Sequence, residues 1–298
     1  MEAAWRRAAA EPARWEDEAG AGQQGDTPGS FGAQKASEKI GGKDCMEFLR
    51  LPREQNILTK PLYEEVFPED KGAFSDYYYQ EVASESAIYA ARQAREDICS
   101  MVHLNPTRLL WNGEQITIPY IVAVATRKEL RHRGLMRSLL DMIFRDLEAE
   151  GVPFAFLMPI DEAIYKPFGF ERTWSWQWEE HVLCGETGGD RKYVAAASLS
   201  DGELASFADR VNRTLSRRFE LFTERSLSYY RRLEKEQRAS GGELQILLEG
   251  GKPAAAVQTA REAYPPMMCR IMNREAYERH LRSASDTPFR HAYVCEVV

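Results

Sequence analysis

Y-I-V-A-V-A-T at residues 120–126, R-H-R-G-L-M-R-S-L-L at residues 131–140 and F-A-F-L-M-P-I-D-E-A-I-Y-K-P-F-G-F at residues 154–170 decide how this chain folds. The first is an apolar, β-branched run of strand length. The second opens a helix on which Leu135, Leu139, Met142, Ile143 and Leu147 recur on one face, spaced for burial against a sheet. The third is another apolar strand, followed by a tight loop carrying Tyr165, Pro167 and Gly169. A helix amino terminus exposes unpaired N–H groups and a partial positive charge, which suits phosphate. Arg131, His132 and Arg133 add side-chain cations, and Gly134 lets the backbone approach a ligand with no Cβ in the way. The order predicts a site for a phosphate-bearing thioester beside a proton donor. Taken alone, R-H-R-G reads equally well as a solvated basic helix start. Tyr165 alone reads as a structural aromatic in a tight loop.

Working outward, a helix is expected from Pro52, with Ile57, Leu58, Leu62 and Val66, stopping at Phe67-Pro68. A short helix over residues 74–82 carries Tyr77, Tyr78 and Tyr79. Strands are expected over residues 86–91, 98–104 and 115–126, with a turn at Trp111-Asn112-Gly113-Glu114. The helix runs over residues 134–150, and the next strand over 154–158. Residues 173–182 alternate strictly, which puts Trp174, Trp176 and Trp178 on one face. Core packing is the commoner use of such a stripe, an aromatic wall for a cationic amine the rarer one. Residues 200–230 read as helical and Arg-rich, with a salt-bridged face. Two strands, 243–248 and 254–261, are joined across Gly250-Gly251. Beyond Pro265-Pro266 lies a stub too short to fold alone.

The 298 residues are enough for two domains, and 44% hydrophobic with 29% charged residues fits a globular chain. A net charge of -7 argues against a nucleic-acid partner, which would want a basic face. No apolar run is long enough to span a bilayer. The five cysteines, Cys45, Cys99, Cys184, Cys269 and Cys295, lack C-x-x-C spacing, so they are expected as reduced thiols in a cytoplasmic protein with no bound metal. Residues 1–45, rich in Ala, Gly, Glu and Gln, are expected as a disordered tail, with Met46 a candidate biological start.

The series resembles the acetyl-CoA site of the GNAT superfamily (GCN5-related N-acetyltransferases), whose signature [QR]-x-x-G-x-[GA] is met by Arg131, Gly134 and Met136, the last in place of a small residue. It is more closely similar to the Eis (enhanced intracellular survival) subfamily, through Val122-Ala123-Val124, residues 131–137 and Ile164-Tyr165-Lys166-Pro167-Phe168-Gly169-Phe170. M-V-H-L-N-P at 101–106 and G-G-E-L-Q-I-L-L at 241–248 extend the likeness. The resemblance implies an α+β chain: a catalytic GNAT domain over 46–184 with a twisted mixed β-sheet flanked by helices, then a second GNAT-like domain over 185–265. Residues 266–298 look like the start of a sterol-carrier-protein-like domain. It also implies acetyl transfer from acetyl-CoA to a primary amine (an aminoglycoside, a polyamine or a lysine side chain). Backbone groups of Val122, Ala123 and Val124 would hold the pantetheine, with the Val124 N–H on the thioester oxygen. Arg131, His132, Arg133, Gly134 and Leu135 would cradle the diphosphate, and Tyr165 would be the general acid. In that subfamily the chain's terminal carboxylate returns to the active site; here the base is unassigned, so a catalytically impaired CoA-binding module is the alternative. Subfamily relatives form hexamers, which makes a homo-oligomer an open expectation.

Overall fold

A long antiparallel hairpin is the spine of the protein, and a computed structural model describes it together with the rest of residues 46–93, 97–174, 190–258, 266–281 and 292–294. In chain order the strands are β1 (Glu47–Arg50), β2 (Ala87–Arg92), β3 (Ile98–Trp111), β4 (Glu114–Thr126), β5 (Phe154–Leu157), β6 (Glu171–Arg172), β7 (Arg191–Ala195), β8 (Leu221–Thr223), β9 (Leu244–Glu249), β10 (Lys252–Gln258), β11 (Met268–Ile271) and β12 (Ala292–Tyr293). The helices are α1 (Lys60–Val66), α2 (Ala73–Tyr77), α3 (Leu135–Ala149), α4 (Glu162–Tyr165), α5 (Asp201–Leu215), α6 (Leu227–Ala239) and α7 (Arg274–Glu278). A 3-10 turn over Arg53–Thr59 leads into α1, and a π turn over Tyr78–Val82 continues α2.

The β3–β4 hairpin turns at Asn112 and Gly113, both at positive φ, as the Asn-Gly pair requires. It reaches further than expected at β3, which continues through Pro106 to Trp111. Pro106 faces Pro119 across the hairpin, so two missing donors share one rung. On its other edge β3 pairs with β2 as far as Leu104 and with β8 only from Leu109, so Pro106 falls in the gap between them.

The large mixed sheet runs β1-β2-β3-β4-β5-β11-β6, with β8 on β3 and β12 on β8. Its one parallel contact along that path joins β4 to β5. α3 covers one face with Leu135, Leu139, Leu140, Ile143, Phe144 and Leu147 buried. Each such side chain contributes about 1.5–3 kcal/mol relative to exposure. α1, α2 and the π turn cover the other face, where Leu62, Tyr63, Tyr77, Tyr78 and Tyr79 form a second cluster. A smaller sheet, β10-β9-β7, packs on α5 and α6 through Leu204, Phe207, Val211, Tyr230 and Ile246.

Two expectations change. Residues 200–230 are not one helical stretch: α5 ends at Leu215, the buried Leu221, Phe222 and Thr223 form β8, and Ser226 caps α6 by accepting from the Tyr229 N–H. No Gly or Pro marks that break; the serine cap is its local signal. Residues 268–271, expected at the start of a further domain, pair antiparallel with both β5 and β6. The Gly250-Gly251 hairpin joins β9 and β10, both glycines at positive φ. The alternating stripe lies mostly outside the described residues: Trp174 packs on Phe156 with ring centroids 5.9 Å apart, while Trp176 and Trp178 are among the rest.

Candidate functional site

β4 and β5 pair only at Tyr120 with Phe156 and Ile121 with Leu157. Beyond that point they part. Pro159, two residues past the end of β5, has no N–H with which to continue a ladder. The β5-facing side of Val122, Ala123 and Val124 therefore has no strand partner among the described residues, while their other side still faces β3.

That other side is irregular. Met101 faces Ala125 and His103 faces Val122, which leaves Val102 opposite both Ala123 and Val124. This is a bulge, and Ala123 sits at φ 49, a left-handed conformation that a residue with a Cβ adopts at a cost. The bulge resets the alternation: Val122 and Ala123 both pack toward the cluster under α1 and α2, and Val124 packs toward α3. It also turns the local backbone amides, the device by which a strand re-aims donors at a site. Sequence reasoning had no signal for it, since alanine does not advertise positive φ as glycine does.

The end of β4 is fixed. The Ser100 hydroxyl lies 2.8 Å from the Thr126 hydroxyl and 3.0 Å from the Ala125 carbonyl oxygen. Arg131 Nε donates to the Thr126 carbonyl at 3.1 Å, so its guanidinium closes the loop as well as charging it. His132 (φ 61) and Gly134 (φ 78) supply two left-handed turns that swing the chain into α3. Ser138 is the first residue of α3 to donate back, 3.0 Å to the Gly134 carbonyl. The N–H groups of Leu135, Met136 and Arg137 make no backbone bond among the described residues, which leaves them for an anion. Arg131, His132, Arg133 and Gly134 are all solvent-exposed there, whereas Leu135 is buried.

Tyr165 closes α4, whose N-cap Asp161 accepts from the Ala163 N–H at 2.9 Å. Its ring is 7% exposed and meets Phe170 edge-on at 6.1 Å. It belongs to the same apolar cluster as Ile121, Leu135 and Leu157, against which Val124 also packs. Burial pushes its phenol up to about 12, so it stays protonated through the neutral range. The structure thus brings strand, helix start and phenol around one cluster.

Other polar side chains of these elements are engaged elsewhere. Tyr77, Tyr78 and Tyr79 are core residues: Tyr78 stacks on His103 and its hydroxyl lies 2.9 Å from His103 Nδ1. His103 is fully buried, and desolvation lowers its pKa to about 3, so it is a neutral ring. Asp76 pairs with Lys60, and Glu162 is engaged by Arg172 and Lys166.

Comparison with known proteins bears on this geometry. Residues 59–173 match a family model described as an acetyltransferase (GNAT) domain. A probable N-acyltransferase from Enterococcus faecalis V583 is 14% identical, with a TM-score of 0.57, over 78% of this chain and 74% of its own. A GCN5-related N-acetyltransferase from Anabaena variabilis ATCC 29413 is 12% identical, with a TM-score of 0.50, over 78% of this chain and 60% of its own. Eis1 from Mycobacterium abscessus is 13% identical, with a TM-score of 0.45, over 69% and 51%, too slight a likeness to carry the subfamily. None of the curated proteins matches. At these identities the likeness is one of fold. The mixed sheet with flanking helices is the GNAT fold, and residues 59–173 are the part of it that matches an acetyltransferase (GNAT) domain.

Proposed function

We propose that this chain transfers the acetyl group of acetyl-CoA to a primary amine by direct attack within a ternary complex. The observation that carries the reading is the parting of β4 from β5 after Ile121 and Leu157, with bulged backbone on one side of the gap and the open amino terminus of α3 at its end. An extended pantetheine arm adds to such an edge as a strand would, through main-chain hydrogen bonds from Val122, Ala123 and Val124. The diphosphate meets the free N–H groups of α3, the cations of Arg131 and Arg133, and the ring of His132. Gly134 and Leu135 shape that end, the first by its left-handed turn and the second as an apolar floor.

In the reaction the amine nitrogen attacks the thioester carbonyl, forming the C–N bond and an oxyanion. The Val124 N–H donates to that oxygen as it gains charge. Collapse breaks the C–S bond, and the departing thiolate takes the Tyr165 phenolic proton. Water returns a proton to the tyrosinate and removes the surplus proton of the amine. The buried phenol is neutral through the physiological range and so carries the proton that this step uses.

The acceptor we assign is a primary amine, on an aminoglycoside, a polyamine or a lysine side chain. The test is thiol release from acetyl-CoA across a panel of such amines, read beside direct CoA binding. Release with at least one amine upholds the reading. Tight CoA binding with no release from any amine rejects it in favour of a CoA-binding module.

A further inference from the structure

The loop that carries Tyr165 is held from the far end of the chain. β11 lies between β5 and β6, and its Arg270 faces Ala155 one rung beyond the last β6 pair. From there Arg270 Nη1 donates to the Phe168 carbonyl at 2.7 Å. Its side chain passes within 3.9 Å of where a Cβ on Gly169 would stand. Its guanidinium lies over the Phe144 ring of α3, 3.8 Å from the centroid. Phe144 meets Phe170 at 6.0 Å, and Phe170 meets Tyr165. On the other side, Arg137 stands 4.9 Å over the Phe168 ring. Asp141 and Glu148 bear on the charge of Arg270 from beyond ion-pair distance, and its close contacts go to the loop carbonyl and the ring. A planar guanidinium serves both at once, donating in its plane and stacking on its face.

We propose that Arg270 is a positioning residue for the acetyl-transfer reaction: it pins the Phe168–Phe170 turn to α3 and thereby fixes where the Tyr165 hydroxyl sits. It touches neither substrate nor the reacting atoms. The proposal rests on Tyr165 as the acid, and the two ideas separate experimentally. Burial of Tyr165 supplies a direct readout, because a loosened loop lets water reach the phenol and brings its titration back toward that of free tyrosine.

The experiment introduces 3-fluorotyrosine at position 165 and follows its 19F resonance with pH in the parent chain, Arg270→Met and Arg270→Lys. Turnover of acetyl-CoA with the amine panel, CoA affinity and thermal midpoint are measured on the unlabelled proteins. In Arg270→Met the resonance is expected to titrate at lower pH. Turnover should fall roughly tenfold to a hundredfold, as displacement of a reacting group by an ångström does. CoA affinity should stay within about twofold, since the α3 amino terminus is untouched. Arg270→Lys, which keeps a donor for the Phe168 carbonyl, should recover part of both effects. An unchanged 165 titration in folded Arg270→Met, or in Arg270→Lys should Arg270→Met fail to fold, overturns the proposal, as does a loss of CoA affinity equal to the loss of turnover. A shifted titration in Arg270→Met, with turnover unchanged both there and in Tyr165→Phe, upholds the positioning and rejects the acid role.

Discussion

Tyr165 and His103 are both buried, and burial pushes them opposite ways because it disfavours whichever form is charged. For Tyr165 the neutral form is the acid. The proton should therefore remain available up to about pH 12, and kcat should show no basic limb from this group near 10. A limb at 10 that disappears in Tyr165→Phe would contradict the buried phenol. In Tyr165→Phe itself, kcat should drop about a hundredfold or more with CoA affinity nearly intact, read by steady-state kinetics and calorimetry. For His103 the neutral form is the base. Unfolded, it binds a proton below its ordinary value of about 6.5, whereas folded it does so only near 3. The unfolded state therefore holds more protons in that window, and stability falls as pH drops through it, by about 1.4 kcal/mol per unit. Urea unfolding between pH 6.5 and 4 should show this slope, reduced in His103→Asn.

At the scale of elements, the proposed complex has β4 and α3 divide the work of holding a ligand. The strand offers edge amides and the helix offers its dipole. Gly134→Ala places a Cβ in open space, yet forces it into φ 78, at a cost of about 1–2 kcal/mol. A shift of the turn to relieve that strain should weaken CoA about threefold to tenfold by titration, with little change in kcat for bound substrate. Both elements were legible in the sequence for physical reasons. Residues 120–126 are β-branched and apolar, and the face of α3 repeats at helical spacing through Leu139, Ile143 and Leu147. The bulge was not legible, since Ala123 adopts its φ only because β3 and the packing under α1 and α2 over-determine it. Nor was the length of β3, because Pro106 argues locally against a strand and only the gap between β2 and β8 excuses it. The turn of Tyr77, Tyr78 and Tyr79 into the core was hidden for the same reason: a polar-tipped ring can face either way until Glu236, His103 and Thr59, respectively, offer it a partner.

The whole molecule is tied together by strands that arrive late in the chain. Met267 and Cys269 pack with Trp111, Trp174 and Phe156, and Met268 packs with Tyr165 and the α3 residues. Met268→Ala empties a fully buried site and should cost about 2–5 kcal/mol. Its effect should appear as one shifted urea midpoint, by tryptophan fluorescence and by CoA protection alike, because β4 and the late strand share a core. No composition or spacing rule placed Met268 beside β5, since that pairing spans a separation that local signals do not reach. The arrangement also sets the order in which the protein can be made. While ribosomes are still producing residues 158–267, the outer edge of β5 has neither β11 nor a closed β6 beside it. An open apolar strand is then a target for wrong pairing and a client for chaperones. The seam beside β5 is therefore closed late in synthesis, when the 268–271 segment emerges.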